Sequence, residues 1–168
     1  MSRATRRVTV IVVLALLAGA AAAAAFLWHR EQDRVDSANR SEKARTDATA
    51  AAVKDIPLFA NFSVNTLDAD EARGKTVLTP AFAQKYQSLF GALIATAEQR
   101  KATVAEQVRD AEPVEVHANG REVTVLTFFE QTATFGDGAP QKFQPLQYQL
   151  TMKLIGSTWL VDDIQVVQ

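Results

Sequence analysis

The chain has 168 residues, a formal net charge of −1 and no cysteine. The lack of cysteine excludes disulfides, thiolate nucleophiles and cysteine-based metal sites, and two histidines leave little material for Ser-His catalysis or a histidine-rich metal site. Three of the 18 basic residues fall in the first seven positions, so the remainder carries 15 basic against 19 acidic side chains. This mildly acidic balance argues against a nucleic-acid partner, which requires a concentrated basic face.

An apolar helix is predicted over Val8–Trp28, where Thr9 is the only polar side chain. A helix of this length extends about 31 Å, enough to cross a hydrocarbon core of about 30 Å. Three arginines precede the segment, and basic residues mark the cytoplasmic side of a membrane helix. We therefore expect a single-pass protein of the cytoplasmic membrane, with residues 1–7 inside and everything after the helix extracytoplasmic.

A cleaved signal peptide is the alternative for this segment, because a basic start, an apolar core and an alanine run with A-x-A sites are typical of one. The apolar run continues through Phe26-Leu27-Trp28, beyond a usual signal-peptide core, and this favours an uncleaved anchor. Gly19 and Ala23 have the small-xxx-small spacing that lets membrane helices approach closely. We expect these two residues to pack against another membrane helix.

A charged helical stalk is predicted over residues 29–47, followed by an extracytoplasmic domain over residues 48–168. The segment Arg30–Asp55 has no glycine or proline and is rich in good helix formers. Its first half is polar all round, as in a solvated stalk or a helix that lies against a partner.

Three signals mark the boundaries of the next helices. Pro57 is expected to interrupt or bend the first one. Thr66 or Asp68 is a candidate cap for a short second helix, and Thr79-Pro80 combines an N-cap residue with a proline at the first helical position. Apolar residues then recur at the three- and four-residue intervals of an amphipathic helix: Phe82, Tyr86, Leu89, Phe90, Leu93, Ile94 and Ala97.

The pattern changes from helical to strand-like after Arg100. Asn119-Gly120 is the strongest short-range hairpin signal, and Pro145 predicts an edge or a bulge in its strand. Helices followed by an antiparallel meander predict an α+β fold, in which the helices cover one face of a curved sheet. The strand-like segments are Lys101–Ala111, Val114–His117, Arg121–Phe135, Gln141–Ile155 and Thr158–Val167.

The layout of anchor, charged helix and C-terminal domain is combined with local stretches at Val64–Asp70, Leu78–Phe82, Val125–Thr132 and Trp159–Asp163. In this combination nearly the whole chain resembles the Mce-associated membrane proteins of actinobacteria. The resemblance implies a cystatin-like roll of the nuclear-transport-factor-two kind between the inner and outer envelope layers. It further implies a non-enzymatic accessory subunit of a complex that imports lipids or sterols, with Mce proteins or their permease as partners. It transfers no catalytic, metal-binding or cofactor-binding residue to this sequence.

Six residues are candidates to line a cavity if the roll encloses one, although aromatic residues more often simply form the core. Glu130 is the one acid expected to titrate abnormally, provided that its face lines the cavity. Strand alternation puts Phe128 and Glu130 on one face and Phe129 and Phe135 on the other, and it leaves open which face that is. The candidates are Phe82, Phe90, Phe128, Phe129, Glu130 and Phe135.

The leading functional prediction is thus an accessory subunit that acts through protein contacts, with no enzymatic activity, cofactor or metal. The alternatives are an extracytoplasmic module that binds a lipid, and an assembly factor of a type IV-like secretion system, whose single-pass subunits share the anchor-plus-roll layout. An enzyme of the ketosteroid-isomerase kind ranks last, because it needs a positioned acid or base in the pocket. The exposed sheet face of such rolls often makes dimers, so a homo-oligomer is a further expectation.

Overall fold

The structure is a computed structural model that describes residues 3–117 and 120–167, with side chains for residues 28–91, 94–117 and 120–167. Of the predicted anchor, only the side chain of its last residue, Trp28, is described. The side chains of Gly19 and Ala23 therefore lie outside the described residues. Among the described residues, no helix combines the length and apolarity needed to cross a membrane. The chain divides into two compact units, Met1–Arg40 and Ser41–Gln168, and the side-chain contacts described below belong to the second, here called the C-terminal unit.

Three helices precede most of the sheet: α1 (Arg3–Ala60), α2 (Leu67–Lys75) and α3 (Pro80–Arg100). Pro57, expected to interrupt or bend the first helix, does not interrupt it, because α1 continues past it to Ala60. A proline removes one N–H group, but it leaves its own carbonyl free to accept. The Asn61 N–H donates to the Pro57 carbonyl at 3.4 Å, so one more turn forms before the helix ends.

The two predicted helix starts lie where the cap signals put them. The Thr79 hydroxyl accepts a hydrogen bond from the Phe82 N–H at 3.2 Å, and Pro80 is the first residue of α3. Thr66 is the N-cap residue of α2, but its side chain makes no capping bond. Its hydroxyl donates instead to the Asp70 carboxylate at 2.8 Å.

Six antiparallel strands form one sheet in the order β1-β2-β3-β5-β6, and β4 pairs with β3 outside this path. The helices-then-meander pattern of an α+β fold is therefore confirmed. The strands are β1 (Phe62–Ser63), β2 (Ala102–His117), β3 (Glu122–Phe135), β4 (Gln141–Lys142), β5 (Leu146–Ile155) and β6 (Thr158–Val167).

The observed strands differ from the predicted ones at two prolines. Pro113 does not divide the predicted segments on either side of it, because β2 runs through it with a register shift between Pro113 and Glu115. β1 pairs with Thr103 and Val104 alone, so Pro113 lies in an edge stretch of β2, a position where a sheet tolerates proline. Pro145 does break its predicted strand, since β4 ends at Lys142 and β5 begins after the proline.

The sheet buries one face against the helices. We call this the inner face, and it carries the fully buried Val123, Val125 and Phe129 of β3. The register places Leu150 and Met152 of β5 opposite these valines. The helices cover the inner face with apolar side chains of α1 and α3, namely Ala48, Ala52, Ile56, Phe59, Phe82, Tyr86 and Phe90.

A buried hub at Asp70 joins α2 to the end of α1. One carboxylate oxygen accepts from the Ser63 N–H and the Thr66 hydroxyl, each at 2.8 Å, and the other accepts from Arg73 at 2.6 Å. Burial alone raises the pKa of Asp70, but these hydrogen bonds outweigh it and hold the pKa below its ordinary value. Arg73 also donates to the Asn61 carbonyl at 2.9 Å, so the hub fixes where α1 meets β1.

The adjacent acids Asp162 and Asp163 do not act together. Asp162 accepts from the Thr79 hydroxyl at 2.7 Å and from Lys153 at 2.6 Å, and thereby ties the start of α3 to the sheet. Asp163 lies 4.0 Å from Lys85 on the partly exposed surface. The two carboxylates serve separate structural contacts rather than one paired site.

Candidate functional site

The most unusual side chain of the inner face is Glu106 of β2, a carboxyl that is only 6% exposed. Gln131 of β3 pairs with it across the sheet and donates its side-chain N–H to Glu106 Oε1 at 3.0 Å. The Tyr148 hydroxyl of β5 donates to the same oxygen at 3.4 Å. Glu106 Oε2 is buried and has no hydrogen-bond partner in the described part of the chain. We call Glu106, Gln131 and Tyr148 the Glu106 cluster.

The cluster follows from strand pairing. Residues that pair across an antiparallel sheet have side chains on the same face. The backbone pairing of β2 with β3 therefore places the carboxyl of Glu106 beside the amide of Gln131. The Asn61 side-chain carbonyl accepts from the Glu106 N–H at 2.6 Å, which holds the free edge of β2 at this position. The Phe129 ring packs on Tyr148 with ring centroids 4.2 Å apart and fixes the direction of the hydroxyl.

Burial shifts the protonation of two acids in the C-terminal unit. Loss of hydration raises the pKa of Glu106 to about 7, although the hydrogen bonds from Gln131 and Tyr148 favour its charged form. Burial also raises the pKa of Asp55, on the covered side of α1, to about 6, and the positive charge of Lys54 only partly offsets this. Both carboxyls therefore retain protons at pH values where an exposed acid is ionised.

The inner face is sealed at one end and less well covered at the other. The end that holds Val123, Val125, Leu150 and Met152 excludes solvent completely. Around the Glu106 cluster, in contrast, several inner-face side chains are only half buried, although Phe129 and Ala133 are buried. The half-buried side chains are Val104 and Val108 on β2, Gln131 and Phe135 on β3, and Leu146 and Tyr148 on β5.

The structure divides the six predicted cavity residues between two faces. Phe82 and Phe90 of α3 are buried in the core, and Phe129 is fully buried on the inner face beside the Glu106 cluster. Phe135 lies half buried at the less covered end of the same face. These four residues share one interior.

The remaining two candidates, Phe128 and Glu130, point to the opposite, outer face, so they do not join the other four. The Arg109 side chain donates to Glu130. This hydrogen bond lowers the pKa of Glu130, and the shift is thus opposite to that of a buried acid. Both residues belong to the surface of the sheet.

The Glu106 cluster and Asp55 are not among the residues predicted from the sequence. A signal for Glu106 was present, since it interrupts an alternation of small and apolar residues at Ala102, Val104 and Val108. Its partners lie 25 and 42 positions away in the chain. Nothing in a single sequence indicates such pairing across strands.

The free edge of β6 is a second feature of the surface. Leu78 bridges to Val161, but no strand of the described residues pairs with the outer edge of β6 beyond that point. Val166 and Val167 expose apolar side chains there. An open strand edge presents N–H and C=O groups that another chain can pair with.

Comparison with known sequences gives two relatives and no matching protein-family model. Both relatives are uncharacterised proteins of Mycobacterium tuberculosis strains, each 29% identical over 133 residues. The match covers 78% of this chain, which spans about 59% of the length of these relatives. The resemblance to Mce-associated proteins therefore rests on the sequence stretches described above.

Solved structures with this fold include domains of secretion proteins. An IcmL-like type IV secretion system protein from Legionella pneumophila aligns with a TM-score of 0.61 at 12% identity, over 73% of this chain and 91% of that one. CagV of Helicobacter pylori, a VirB8 homologue, aligns with a TM-score of 0.57 at 16% identity, over 73% and 98%. VirB8 of Agrobacterium tumefaciens aligns with a TM-score of 0.52 at 10% identity, over 74% and 92%. At these identities the likeness establishes a shared fold, in which helices pack on a curled antiparallel sheet.

Proposed function

We propose that this protein is a membrane-anchored, non-enzymatic subunit that supports an envelope transport complex through protein contacts. The observation that carries the proposal is the fold likeness of the C-terminal unit to IcmL-like and VirB8-type proteins, which belong to type IV secretion systems. Fold likeness alone is an analogy, so the proposal extends only to the kind of role. In this proposal Val8–Trp28 anchors the chain in the cytoplasmic membrane, with the C-terminal unit outside the cytoplasm.

The open edge of β6 supports a role in protein contacts. Its exposed Val166 and Val167 flank unpaired backbone groups, and a strand of another protein can extend the sheet at such an edge. A charge on the edge commonly blocks this kind of pairing. The last residues of β6, from Ile164 to Val167, carry no charge.

A second candidate is an accessory role in Mce-type import of lipids or sterols, with Mce proteins or their permease as partners. The specific observation in its favour is the combination of local stretches described above, together with mycobacterial relatives that match 78% of this chain. Both candidates share the anchor, the location and the reliance on protein contacts. They differ in the partner, which is a secretion apparatus in the first candidate and an Mce complex in the second.

Mild extraction of the tagged full-length protein from its native membrane, followed by identification of co-purifying proteins, tests both candidates. Subunits of a secretion apparatus support the first, and Mce proteins with their permease support the second. A variant with Gly19→Leu and Ala23→Leu tests whether the anchor packs against another membrane helix, because bulky side chains prevent the close approach of a second helix. Recovery of the wild-type protein alone from intact membranes contradicts both candidates.

A further inference from the structure

The two long edges of the sheet differ in how well they are protected against pairing with another strand. The β2 edge has two register shifts, and the Arg45 side chain donates to the Pro113 carbonyl there at 3.3 Å. Charged side chains also lie along this stretch of β2: Arg109, Asp110, Glu112 and Glu115. Register shifts, charges and a proline all hinder the addition of another strand. On the opposite edge, residues 164–167 of β6 have no charge, no proline and no register shift.

Hydrogen bonds at Val161 show which of its backbone groups point away from β5. The Val161 N–H donates to the Val77 carbonyl at 2.9 Å, and the Val161 carbonyl accepts from the Thr79 N–H at 2.8 Å. The outer edge of β6 is thus occupied by the chain itself at Val161. Beyond this point no described residue pairs with that edge.

Strand alternation identifies the backbone groups that remain open. Met152 of β5 pairs with Val161, and the next residue of β5, Thr151, pairs with Asp163. Successive residues direct their backbone groups to opposite sides of a strand, so Asp163 faces β5 and every second residue after it does the same. The residues between them face outward, and these are Ile164 and Val166. Each presents one N–H and one C=O group to a possible partner strand.

We propose that the open edge of β6 pairs with the same edge of a second copy of this chain, in an antiparallel ladder with Gln165 on the twofold axis. In this register Ile164 of one copy lies opposite Val166 of the other, and each such pair exchanges two hydrogen bonds. All four open groups of each copy are then satisfied. No other symmetric antiparallel register satisfies all four, because only this one exchanges positions 164 and 166.

The side chains fit a pairing of two identical edges. Ile164 and Val166 lie on the inner face, opposite β5, and the exposed Val166 would gain Ile164 of the second copy as an apolar neighbour. Gln165 would meet its own copy on the outer face, where each amide can both donate and accept. Asp163 would lie opposite the uncharged Val167, so no like charges face each other across the ladder.

This contact differs from the dimer expected from the sequence, because it uses the edge of the sheet and not its exposed face. Four paired residues form a small contact, and a shared membrane raises the effective concentration of two tethered copies. In this respect the inference rests on the proposed function, which anchors the chain in a membrane. A second copy is itself an envelope protein in that role, so the pairing is one of the protein contacts proposed above.

Disulfide trapping of the full-length protein in its native membrane tests the pairing, and the chain has no cysteine of its own to interfere. The two copies of position 165 would form a non-hydrogen-bonded pair with Cα atoms about 4.5 Å apart. This separation suits a disulfide, so Gln165→Cys should give a dimer of twice the mass under mild oxidation.

Val167→Cys is the matched control, because it lies on the same face of the same strand. The proposed register separates the two copies of position 167 by about 13 Å, which no disulfide spans. This variant should remain monomeric. Chains with Asp163→Cys and chains with Val167→Cys, produced together, should crosslink to each other, because the register places these two positions opposite.

A lysine on the edge tests whether strand pairing brings the cysteines together. Val166→Lys, added to Gln165→Cys, should lower the dimer fraction about fivefold, because a charge on an edge opposes pairing. A nearby lysine favours the reactive thiolate, so it would not slow the oxidation itself. Val114→Lys is the control on the β2 edge, and it should leave the dimer fraction unchanged. The two valines are similarly exposed, at 61% for Val166 and 57% for Val114.

The pairing is overturned if Gln165→Cys gives no dimer, if Val167→Cys gives as much dimer, or if both lysine variants act alike. These outcomes do not depend on the co-purification experiment. A register-specific dimer without co-purifying transport proteins would support the pairing and contradict the proposed function.

Discussion

Replacing Glu106 with glutamine should remove the larger part of the pH dependence of folding stability between about pH 4.5 and 7.5. The pKa of Glu106 is about 7 in the folded protein, against an ordinary value of 4.5. In this range the unfolded chain has released the Glu106 proton while the folded protein still holds it. The folded state therefore binds more protons, and the free energy of unfolding falls as the pH rises.

The size of the effect follows from proton linkage. A carboxyl whose pKa rises on folding from 4.5 to about 7 lowers the free energy of unfolding by about 3 kcal/mol across this range. Asp55, raised from 3.8 to about 6, adds about 2 kcal/mol in the same direction. Asp70 and Asp162 have lowered pKa values, so the stability they contribute is lost only below their ordinary value of 3.8, outside this range.

Urea unfolding of the full-length protein, followed by the near-ultraviolet signal of the buried Trp159, measures the effect. Glu106→Gln should match the wild-type protein to within about 1 kcal/mol at pH 4.5 and exceed its stability by about 3 kcal/mol at pH 7.5. Glu130→Gln is the control, because Glu130 lies on the outer face and its pKa is lowered rather than raised. A parallel loss of stability in Glu106→Gln and wild-type protein as the pH rises would show that Glu106 does not hold its proton in the folded state.

Two further pairs of substitutions test the contacts that stabilise the C-terminal unit, and all four variants are read from the urea midpoint. Gly74→Ala should cost about 2 kcal/mol, because a Cβ atom there would lie 2.7 Å from the Tyr86 hydroxyl oxygen. Gly91→Ala in α3 should be neutral or stabilising, since nothing lies within 4 Å of its Cβ position, and equal losses at both glycines would contradict the packing argument. Asp70→Asn should cost about 2 kcal/mol through the loss of charged hydrogen bonds, whereas the exposed Asp68→Asn should change little, and a reversed order would show that the hub does not stabilise the unit.

The parts of the fold that the sequence predicts well depend on local chemistry. Thr79-Pro80 starts a helix because the cap and the proline act within one turn. The alternation from Leu146 to Leu154 places one set of side chains on the inner face, because the strand period of two is a property of the backbone. These features need no knowledge of distant residues.

The parts that the sequence does not predict depend on which residues meet across the sheet. The predicted segments end at Ala111 and resume at Val114, yet β2 runs through Pro113 because this stretch is a sheet edge, and strand order is not visible in a sequence. Phe128 and Glu130 share a face that alternation identifies, but only the packing of α1 and α3 decides that the other face is buried. The partners of Glu106 are fixed by the register of β2, β3 and β5, so its buried oxygen becomes evident only in the folded protein.

Photo-crosslinking in the native cell measures whether the open edge of β6 contacts another protein. A photoreactive amino acid replaces the exposed Gln165 on the open edge of β6, and the control carries it at the exposed Gln87 of α3. Position 165 of the full-length protein should form an adduct with another envelope protein, and position 87 should form far less of it. Absence of any protein adduct at position 165, or equal adducts at both positions, would contradict a role of this edge in protein contacts.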